Sequence, residues 1–296
     1  MAVSEALGFV GLGVMGEPMC ANLLRKSGKI VHGFDVMEAP LQRLSELGLK
    51  PVDNLKRIAA ECDVVFLSLP SGKQVEEVCL GAEGLLAEPG RLQTIVDLST
   101  CPASLARNLE KGLKEKGISF IDAPVARMRK AAHDGTLAIM VGGDGKILEA
   151  VRPYLSCMGT DIIHCGDIGA GQVVKALNNM IVFMNVHALA EALAIGRANG
   201  VDPAMLFEAM SMGSADSFAL RNPGMKALVP DEFPEQAFPT DYALKDIRLA
   251  LGLAEEGGVD ARQAKATHEL LVRTSEAGYA KNYYPAMIRL IEERDT

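Results

Sequence analysis

The N-terminal segment combines a strand, a glycine-rich turn and a helix, and this order constrains the fold more than any other feature of the chain. Leu7–Gly16 reads LGFVGLGVMG, so a short apolar run leads into Gly11, Gly13 and Gly16, spaced GxGxxG, and a helical run, Glu17 to Arg25, follows. In this context the first glycine allows a tight turn, the second lets a pyrophosphate approach the backbone, and the third lets the helix pack close to the strand. The segment predicts a dinucleotide-binding unit, and a glycine turn without a nucleotide is the weaker interpretation.

The residues after this turn indicate which dinucleotide binds. A second strand-like run, Lys29 to Phe34, ends at Asp35, which lies 24 positions after Gly11. A carboxylate at this place accepts hydrogen bonds from the adenosine ribose hydroxyls and repels a 2′-phosphate. The next three residues, VME, include no arginine that would accommodate such a phosphate. We therefore predict NAD as the cofactor, with NADP as the weaker alternative.

Strand-like and helical runs alternate through the first half of the chain, whereas the part from residue 202 onward reads as helices only. The strand-like runs are Asp63–Pro70, Thr94–Cys101, Ser119–Pro124 and Leu137–Gly143, and helical runs cover Gln74 to Val78 and Ser104 to Gly117. In open α/β sheets, ligands bind at the carboxyl ends of the strands. We expect one crevice there, lined by the loops that begin at Gly11, Asp35, Pro70, Ser99 and Val125.

The predicted fold class is α/β, with an N-terminal Rossmann-type dinucleotide-binding domain over residues 1–166 and an all-α C-terminal domain over residues 167–296. With 296 residues, 49% of them hydrophobic, the chain is long and apolar enough for two such domains. The net charge of −8 argues against nucleic acid as a partner, while a small anionic substrate can still bind a local cluster of cations. Polar residues interrupt the apolar run Met180 to Ile195, so no membrane span is expected.

The six cysteines form neither a CxxC pair nor a zinc-binding spacing, and no secretory signal is recognisable. We therefore expect reduced thiols in a cytoplasmic protein. Taken alone, Cys157, Cys165 and His164 are candidates for a metal site, but the short segment around them is apolar. Buried strand residues explain this pattern better, and no metal is predicted.

A polar helix face follows just past the middle of the chain. The segment Gly169–Asn179 reads GAGQVVKALNN, and its Lys175, Asn178 and Asn179 are spaced i, i+3, i+4. On a helix they share one face, where one ammonium and two carboxamides suit a small oxygen-rich molecule. The alternative is the start of a helix with solvated polar residues.

Five segments then occur in a recognisable order: FVGLGVMGEPMCANL, DLSTCPAS, IDAPVA with a following DGTLAIMVGG, GAGQVVKALNN, and FPTDYALKDIRLA. Together they cover nearly the whole chain, which resembles the β-hydroxyacid dehydrogenase family, including 3-hydroxyisobutyrate dehydrogenase and tartronate semialdehyde reductase. The resemblance implies a long helix that joins the Rossmann-type domain to an all-helical domain, and assembly into homodimers or homotetramers. It also implies reversible oxidation of a 3-hydroxy acid to a semialdehyde or keto acid, with hydride passing to the nicotinamide.

The resemblance also implies roles for single residues. Lys175 matches the catalytic lysine, a general acid and base, and Asn179 matches the asparagine that orients the substrate. Asn178 either helps to position the site or holds the helix in place. Lys245 matches a lysine that approaches the cofactor, although an exposed helix charge paired with Asp241 is the alternative. Thr100 is predicted to contact both substrate and cofactor, and the other predicted cofactor-binding residues are Gly11, Gly13, Val14, Met15, Gly16, Asp35, Leu69 and Pro70.

The chain departs from the family in one loop. Most members carry Ser-Gly-Gly after DAPV, and its hydroxyl and amides hold the substrate carboxylate, whereas this chain has Ala126, Arg127 and Met128. The loop is similar to that of sulfolactaldehyde reductases, in which an arginine meets the sulfonate. A guanidinium suits a carboxylate, a sulfonate or a phosphate, so Arg127 is predicted to hold the acid group of a small anionic substrate. The alternative is a solvated surface loop.

Three functions stay open from the sequence. The first is an NAD-dependent enzyme acting on a simple 3-hydroxy carboxylate, and the second is a sulfolactaldehyde reductase-type enzyme acting on a sulfonate. The third is a catalytically silent NAD-binding regulator, but the presence of Lys175 and Asn179 argues against this class. An imine reductase usually carries another residue at the lysine position, so Lys175 argues against that activity as well.

Overall fold

The computed structural model describes residues 6–235 and 237–292, and the chain divides into two compact units between Lys175 and Ala176. That division falls inside a helix, so the predicted domains 1–166 and 167–296 stay a prediction. The first unit contains a nine-stranded sheet. Its strands are β1 Ala6–Val10, β2 Ile30–Phe34, β3 Lys50–Pro51, β4 Val64–Leu67, β5 Thr94–Asp97, β6 Ser119–Asp122, β7 Val125–Ala126, β8 Leu137–Gly142 and β9 Gly159–Gly166.

Seven helices surround the sheet: α1 Gly16–Lys26, α2 Glu38–Ser45, α3 Leu55–Glu61, α4 Gly72–Leu80, α5 Ala103–Lys114, α6 Arg129–Asp134 and α7 Gly145–Leu155. Six strands run parallel in the order β3-β2-β1-β4-β5-β6. The strand β8 is antiparallel to β6 and β7, and β9 pairs in parallel with β8. The order reverses between β1 and β4, which is where a doubly wound sheet binds its ligand.

Successive residues of the central strands pack on opposite faces of the sheet, as the two-residue period of a strand requires. Leu7, Phe9 and Phe66 belong to one buried cluster, whereas Val10 and Val65 belong to another. Helices therefore cover both faces, and β1 and β4 are buried along their whole length. This arrangement confirms the predicted α/β class.

The structure corrects several predicted boundaries. The predicted strands Asp63–Pro70, Thr94–Cys101 and Ser119–Pro124 continue past the ends of β4, β5 and β6. Their last residues leave the sheet and form loops at its carboxyl edge. The loop predicted to begin at Val125 instead starts with β7. The strands β3 and β7 were not predicted, because they have two residues each. Buried strand residues were expected around Cys157 and Cys165, and β9 lies there, but its side chains are largely exposed.

Within its described residues, the second unit consists of helices and loops with one isolated bridge, between Pro239 and Tyr283. The long helix α8, Ala170–Ala198, enters it and is followed by α9 Pro203–Met212, α10 Thr240–Glu256, α11 Arg262–Thr274 and α12 Ile288–Glu292. Two π-helical segments, Leu220–Leu228 and Ser275–Tyr279, and a 3₁₀ turn, Tyr284–Met287, complete it. The helix α9 begins with Asp202 as its cap, whose carboxylate accepts a hydrogen bond from Met205 N at 2.9 Å.

The helix α8 is long and apolar enough to cross a membrane by length and composition alone, with a mean hydropathy of 1.4 over its most apolar window. This differs from the prediction, because polar residues interrupt the apolar run Met180 to Ile195. A core helix of a soluble protein passes the same test, and Phe183, Val186 and Leu193 of α8 are buried in the core of the second unit. This result is therefore weak evidence for a membrane span.

Candidate active site

The glycine turn after β1 has the geometry that a dinucleotide requires. Gly11 has a φ of +90° and donates a backbone hydrogen bond to Phe34 O at 3.0 Å. A Cβ atom at Gly11 would collide with the carbonyl of Ser68, and one at Gly16 would collide with the carbonyl of Gly11. A Cβ at Gly13 would meet no atom within 4 Å, so its backbone borders open space. The three glycines thus fit the tight turn, the close approach of a pyrophosphate, and helix packing.

Asp35 is held at the carboxyl end of β2 by the backbone. One carboxylate oxygen accepts a hydrogen bond from Leu12 N, and the other accepts one from Met37 N at 2.8 Å. The carboxylate is therefore fixed beside the glycine turn, where the ribose of a dinucleotide is expected. Val14 and Met15 lie within this turn, immediately before the first residue of α1.

Ser99 joins the loops that follow β4 and β5. Its hydroxyl accepts a hydrogen bond from Leu69 N at 2.9 Å, and its own N–H donates to Asp97 Oδ1 at 2.9 Å. The two strands are neighbours in register, with Leu67 beside Asp97. The predicted cofactor residues Leu69, Pro70 and Thr100 therefore follow neighbouring strand ends.

Two buried carboxyl groups lie beneath these loops. Asp97 and Asp122 are register partners in β5 and β6, and both are fully buried. Burial raises the pKa of Asp97 to about 6 and also raises the pKa of Asp122. Asp122 accepts hydrogen bonds from Gly169 N at 2.7 Å and from Gln172 N at 2.8 Å. It therefore caps α8 from a neighbouring strand, where a negative charge also complements the helix dipole.

Gln172, in the first turn of α8, connects this helix to the loop after β5. Its Nε2 donates to Ser99 O at 2.8 Å, and its Oε1 accepts from Cys101 N at 3.0 Å. The side chain is almost completely buried, with 1% of its surface exposed. The two bonded peptide groups flank Thr100, so the amide fixes the backbone on both sides of that residue.

The predicted polar face is present on α8. Lys175 follows Gln172 by three positions and is buried, as is Asn179, whereas Asn178 is exposed. Asn178 donates to Asn179 Oδ1 at 3.1 Å, and Asn179 donates to Asp246 Oδ2 at 2.7 Å. Asp246 of α10 therefore sets the orientation of the Asn179 amide.

Lys245 precedes Asp246 on α10. Its ammonium lies 3.2 Å from Asp246 Oδ1 and 5.7 Å from the centre of the Tyr242 ring. Asp241, the alternative partner considered in the sequence, accepts a hydrogen bond from Ser275 Oγ at 2.8 Å. The predicted role of Lys245 towards the cofactor stays a prediction.

Arg127 has an unusual backbone and a carboxylate partner. Its φ is +86°, a region that favours glycine, and its Nη2 lies 2.8 Å from Asp161 Oδ2. Its Nη1 donates to the carbonyl of Thr136 and, at 3.3 Å, to Thr160 Oγ1. The hydrogen bond from Thr160 and the nearby guanidinium lower the pKa of Asp161. None of these partners is a predicted site residue, and the role of Arg127 towards the substrate stays a prediction.

The Cys157, His164 and Cys165 group shows no metal-binding arrangement. The prediction of buried strand residues is wrong here: Cys157 is buried but lies in the turn before β9, while His164 and Cys165 lie in β9 and are exposed and half-buried. His164 Nε2 lies 2.8 Å from Gly143 O. Across residues 6–235 and 237–292, no three His, Cys, Asp or Glu side chains form a group that could hold a metal ion. All six cysteines are free thiols.

Four residues that hold these loops and helices in place were not among the predicted site residues: Asp97, Asp122 and Gln172 in the first unit, and Asp246 in the second. The segments that contain them, DLSTC, IDAP, GAGQVVK and ALKD, were recognised. The signal available for the first two was an aspartate at the end of an apolar strand. The signal for Gln172 was its position one turn before Lys175. Neither pattern identifies the residue to which the side chain bonds. For Gln172 that residue is Cys101, which lies 71 positions away in the sequence.

Two family models match this chain, one in each half. Residues 6–166 match the family model described as the NAD binding domain of 6-phosphogluconate dehydrogenase. Residues 169–291 match the model described as "NAD-binding of NADP-dependent 3-hydroxyisobutyrate dehydrogenase". The two matches together span almost all of the described chain.

Individual relatives are similar over most of their length. The chain is 36% identical to 2-(hydroxymethyl)glutarate dehydrogenase of Eubacterium barkeri, covering 99% of this chain and 97% of the relative. It is 38% identical to 3-hydroxyisobutyrate dehydrogenase of Pseudomonas aeruginosa, covering 84% and 83%. The structure of Mycobacterium tuberculosis 3-hydroxyisobutyrate dehydrogenase with L-serine superimposes with a TM-score of 0.88 at 30% identity, covering 98% and 99%.

These matches confirm the predicted arrangement of a Rossmann-type domain followed by a helical domain, and they confirm NAD binding. The chain therefore belongs to the β-hydroxyacid dehydrogenase family, as an NAD(P)-dependent oxidoreductase of the 3-hydroxyisobutyrate dehydrogenase type.

Proposed function

We propose that this enzyme uses NAD to interconvert a small 3-hydroxy acid and its semialdehyde or keto acid, with Lys175 as the general acid and base. The observation that carries the proposal is the attachment of the lysine-bearing turn of α8 to the dinucleotide site. Gln172 bonds the loop around Thr100, and Asp122 caps the same turn. Lys175 follows three residues later.

The names of the relatives support this substrate class. The compounds 2-(hydroxymethyl)glutarate, 3-hydroxyisobutyrate and L-serine, named for three of the similar proteins, share a hydroxymethyl group on the carbon next to a carboxylate. Such a substrate presents an alcohol and an acid group at a fixed separation. An ammonium near the alcohol and a separate cation near the acid would complement it.

NAD, held by the glycine turn and Asp35, would supply the acceptor for the hydride of the alcohol carbon. The neutral amine of Lys175 removes the hydroxyl proton during oxidation, and its ammonium returns that proton during reduction. Asn179, whose amide is oriented by Asp246, holds the substrate by hydrogen bonding, and Asn178 supports the Asn179 oxygen. Thr100 contacts substrate and cofactor from the loop fixed by Gln172.

Arg127 is proposed separately to bind the acid group of the substrate. A non-glycine residue with a φ of +86° costs about 1 kcal/mol or more of backbone strain, and strained residues of this kind cluster at functional sites. Its partner Asp161 is exposed, so water can solvate the Asp161 carboxylate once an anion binds the guanidinium of Arg127. We propose that the acid group of the substrate replaces Asp161 as the ion-pair partner of the Arg127 guanidinium.

The first test compares Arg127→Ala with Asp161→Asn in steady-state assays. If Arg127 binds the acid group, its removal raises KM by about tenfold or more, whereas Asp161→Asn frees the guanidinium and leaves KM unchanged or lower. If the pair only tethers the loop, both variants change KM to the same small extent. That second outcome would remove Arg127 from the substrate site.

The choice of substrate needs a panel assayed with NAD and NADP. Simple 3-hydroxy carboxylates form one arm, and sulfolactaldehyde forms the other, because the planar fork of Arg127 favours a sulfonate as the second candidate. Preferred turnover of the sulfonate, lost in Arg127→Ala, would establish that second candidate. Binding of NAD without turnover of any compound would favour the regulator. The cytoplasmic location and the homodimer or homotetramer also stay predictions.

A further inference from the structure

We propose that Gln172 is a positioning residue, whose buried amide aligns the loop carrying Thr100 with the turn of α8 that carries Lys175. The inference rests on the proposed function, because it concerns the geometry of the same reaction. Gln172 itself is not assigned a contact with substrate or cofactor.

The side-chain amide of Gln172 bonds the backbone on both sides of Thr100, once as a donor and once as an acceptor. Nε2 donates to Ser99 O at 2.8 Å and Oε1 accepts from Cys101 N at 3.0 Å. The backbone on either side of Thr100 is therefore attached to the same rigid group. A planar amide held at both ends restricts the rotation and the translation of this loop more than a single hydrogen bond would.

The helix side of this link is equally fixed. The backbone N–H of Gln172 donates to Asp122 Oδ2 at 2.8 Å, so the residue is held at its main chain as well as its side chain. Lys175 lies three positions further along, which places it on the same helix face about 4.5 Å along the axis. A shift of Gln172 relative to the loop is therefore also a shift of Lys175 relative to Thr100.

The loop side is fixed from below by the second buried carboxylate. Asp97 Oδ1 accepts from Ser99 N at 2.9 Å, and Cys101 Sγ lies 3.5 Å from Asp97 Oδ2. Asp97 and Asp122 are neighbours in the register of β5 and β6. Hydrogen bonds thus connect the loop around Thr100, the first turn of α8 and the ends of β5 and β6. Within this set, Gln172 joins the loop to the helix turn.

Stability and positioning make different kinetic predictions. A variant that only folds less well contains less active enzyme, so kcat falls while KM and the kinetic isotope effect stay constant. A variant with a misplaced lysine or loop has a slower chemical step in every molecule. Its kcat falls about tenfold to a hundredfold, and the isotope effect on kcat with a substrate deuterated at the alcohol carbon increases.

The test uses Gln172→Met, which has a similar length without the amide, and Gln172→Glu, which keeps the acceptor for Cys101 N–H. We expect a large loss of kcat in Gln172→Met and a smaller loss in Gln172→Glu, with the KM for NAD changing less than about threefold. The matched control is Asn22→Leu. Asn22 is another buried amide of the first unit, and it donates to Ala132 O at 2.8 Å and to His133 O at 3.1 Å. We expect Asn22→Leu to lower the melting temperature without changing the isotope effect.

Kinetic constants of Gln172→Met that equal those of the wild type, per folded molecule, would overturn the inference. If the wild type turns over no hydroxy acid, the proposed function fails independently, and hydrogen exchange then decides the structural part. The amide of Cys101 is expected to exchange faster in Gln172→Met than in the wild type. Equal exchange would show that the amide does not hold the loop.

Discussion

Asp97 places an ionisable group where its charged form is disfavoured. The carboxyl group is fully buried, and this burial raises its pKa from 3.8 to about 6. Between these two pH values the folded state binds a proton that the unfolded state has already lost. The free energy of unfolding therefore decreases as pH rises from about 4 to about 6, by up to about 3 kcal/mol from this group alone. The stabilisation is complete below the lower pKa and is lost above the upper one.

The variant Asp97→Asn cannot titrate, so it should lack this contribution. We expect the stability of the variant relative to the wild type to increase as pH rises from about 4 to about 6 and to level off above that range. Urea unfolding of both proteins at several pH values measures the difference and cancels the titration of other carboxyl groups. A difference that does not change with pH would show that Asp97 titrates normally.

Helix α8 depends at its start on a carboxylate supplied by another element. Asp122 accepts the N–H groups of Gly169 and Gln172, and it fits closely because two neighbouring residues lack a side chain. A Cβ at Gly171 would lie 2.8 Å from Asp122 Oδ2, and one at Gly142 would also contact this carboxylate. The Asp122 carboxylate, the first turn of α8 and the end of β8 therefore pack closely together.

Removing this cap should loosen the first turn of α8. In Asp122→Ala, two buried N–H groups lose their acceptor, which costs about 1–3 kcal/mol of stability. We expect faster hydrogen exchange at the amides of Gly169 and Gln172 and a lower melting temperature. The control is Asp144→Ala, which removes an exposed cap of α7 and its hydrogen bond from Lys146 N at 2.6 Å. A smaller effect of Asp122→Ala than of this control would contradict the account.

At the scale of the whole molecule, local patterns predicted the fold class well. The glycine spacing, the apolar strands and the helical second half each depend on neighbours in sequence, and all three are present in the structure. The polar face of α8 was also predictable, because Lys175, Asn178 and Asn179 are one helical turn apart. Short or exposed strands such as β3, β7 and β9 have no such local pattern.

Contacts between distant segments were not predictable from one sequence. The bonds from Gln172 to Ser99 and Cys101 span 73 and 71 residues, and the pair of Arg127 with Asp161 depends on how β8 lies beside β9. The pattern around Arg127 suggested only a cation in a loop. Its positive φ and its carboxylate partner follow from the folded chain, because they are set by strand pairing rather than by local sequence.

The most direct test of the central claim is the activity of Lys175→Met with NAD and a 3-hydroxy acid that the wild type oxidises. We expect kcat/KM of Lys175→Met to fall about a hundredfold to ten-thousandfold, because the proton acceptor is lost. NAD binding, measured by calorimetry, should stay within about threefold of the wild type, because the glycine turn and Asp35 are intact. A variant that retains kcat/KM within about tenfold would show that Lys175 is not the general acid and base.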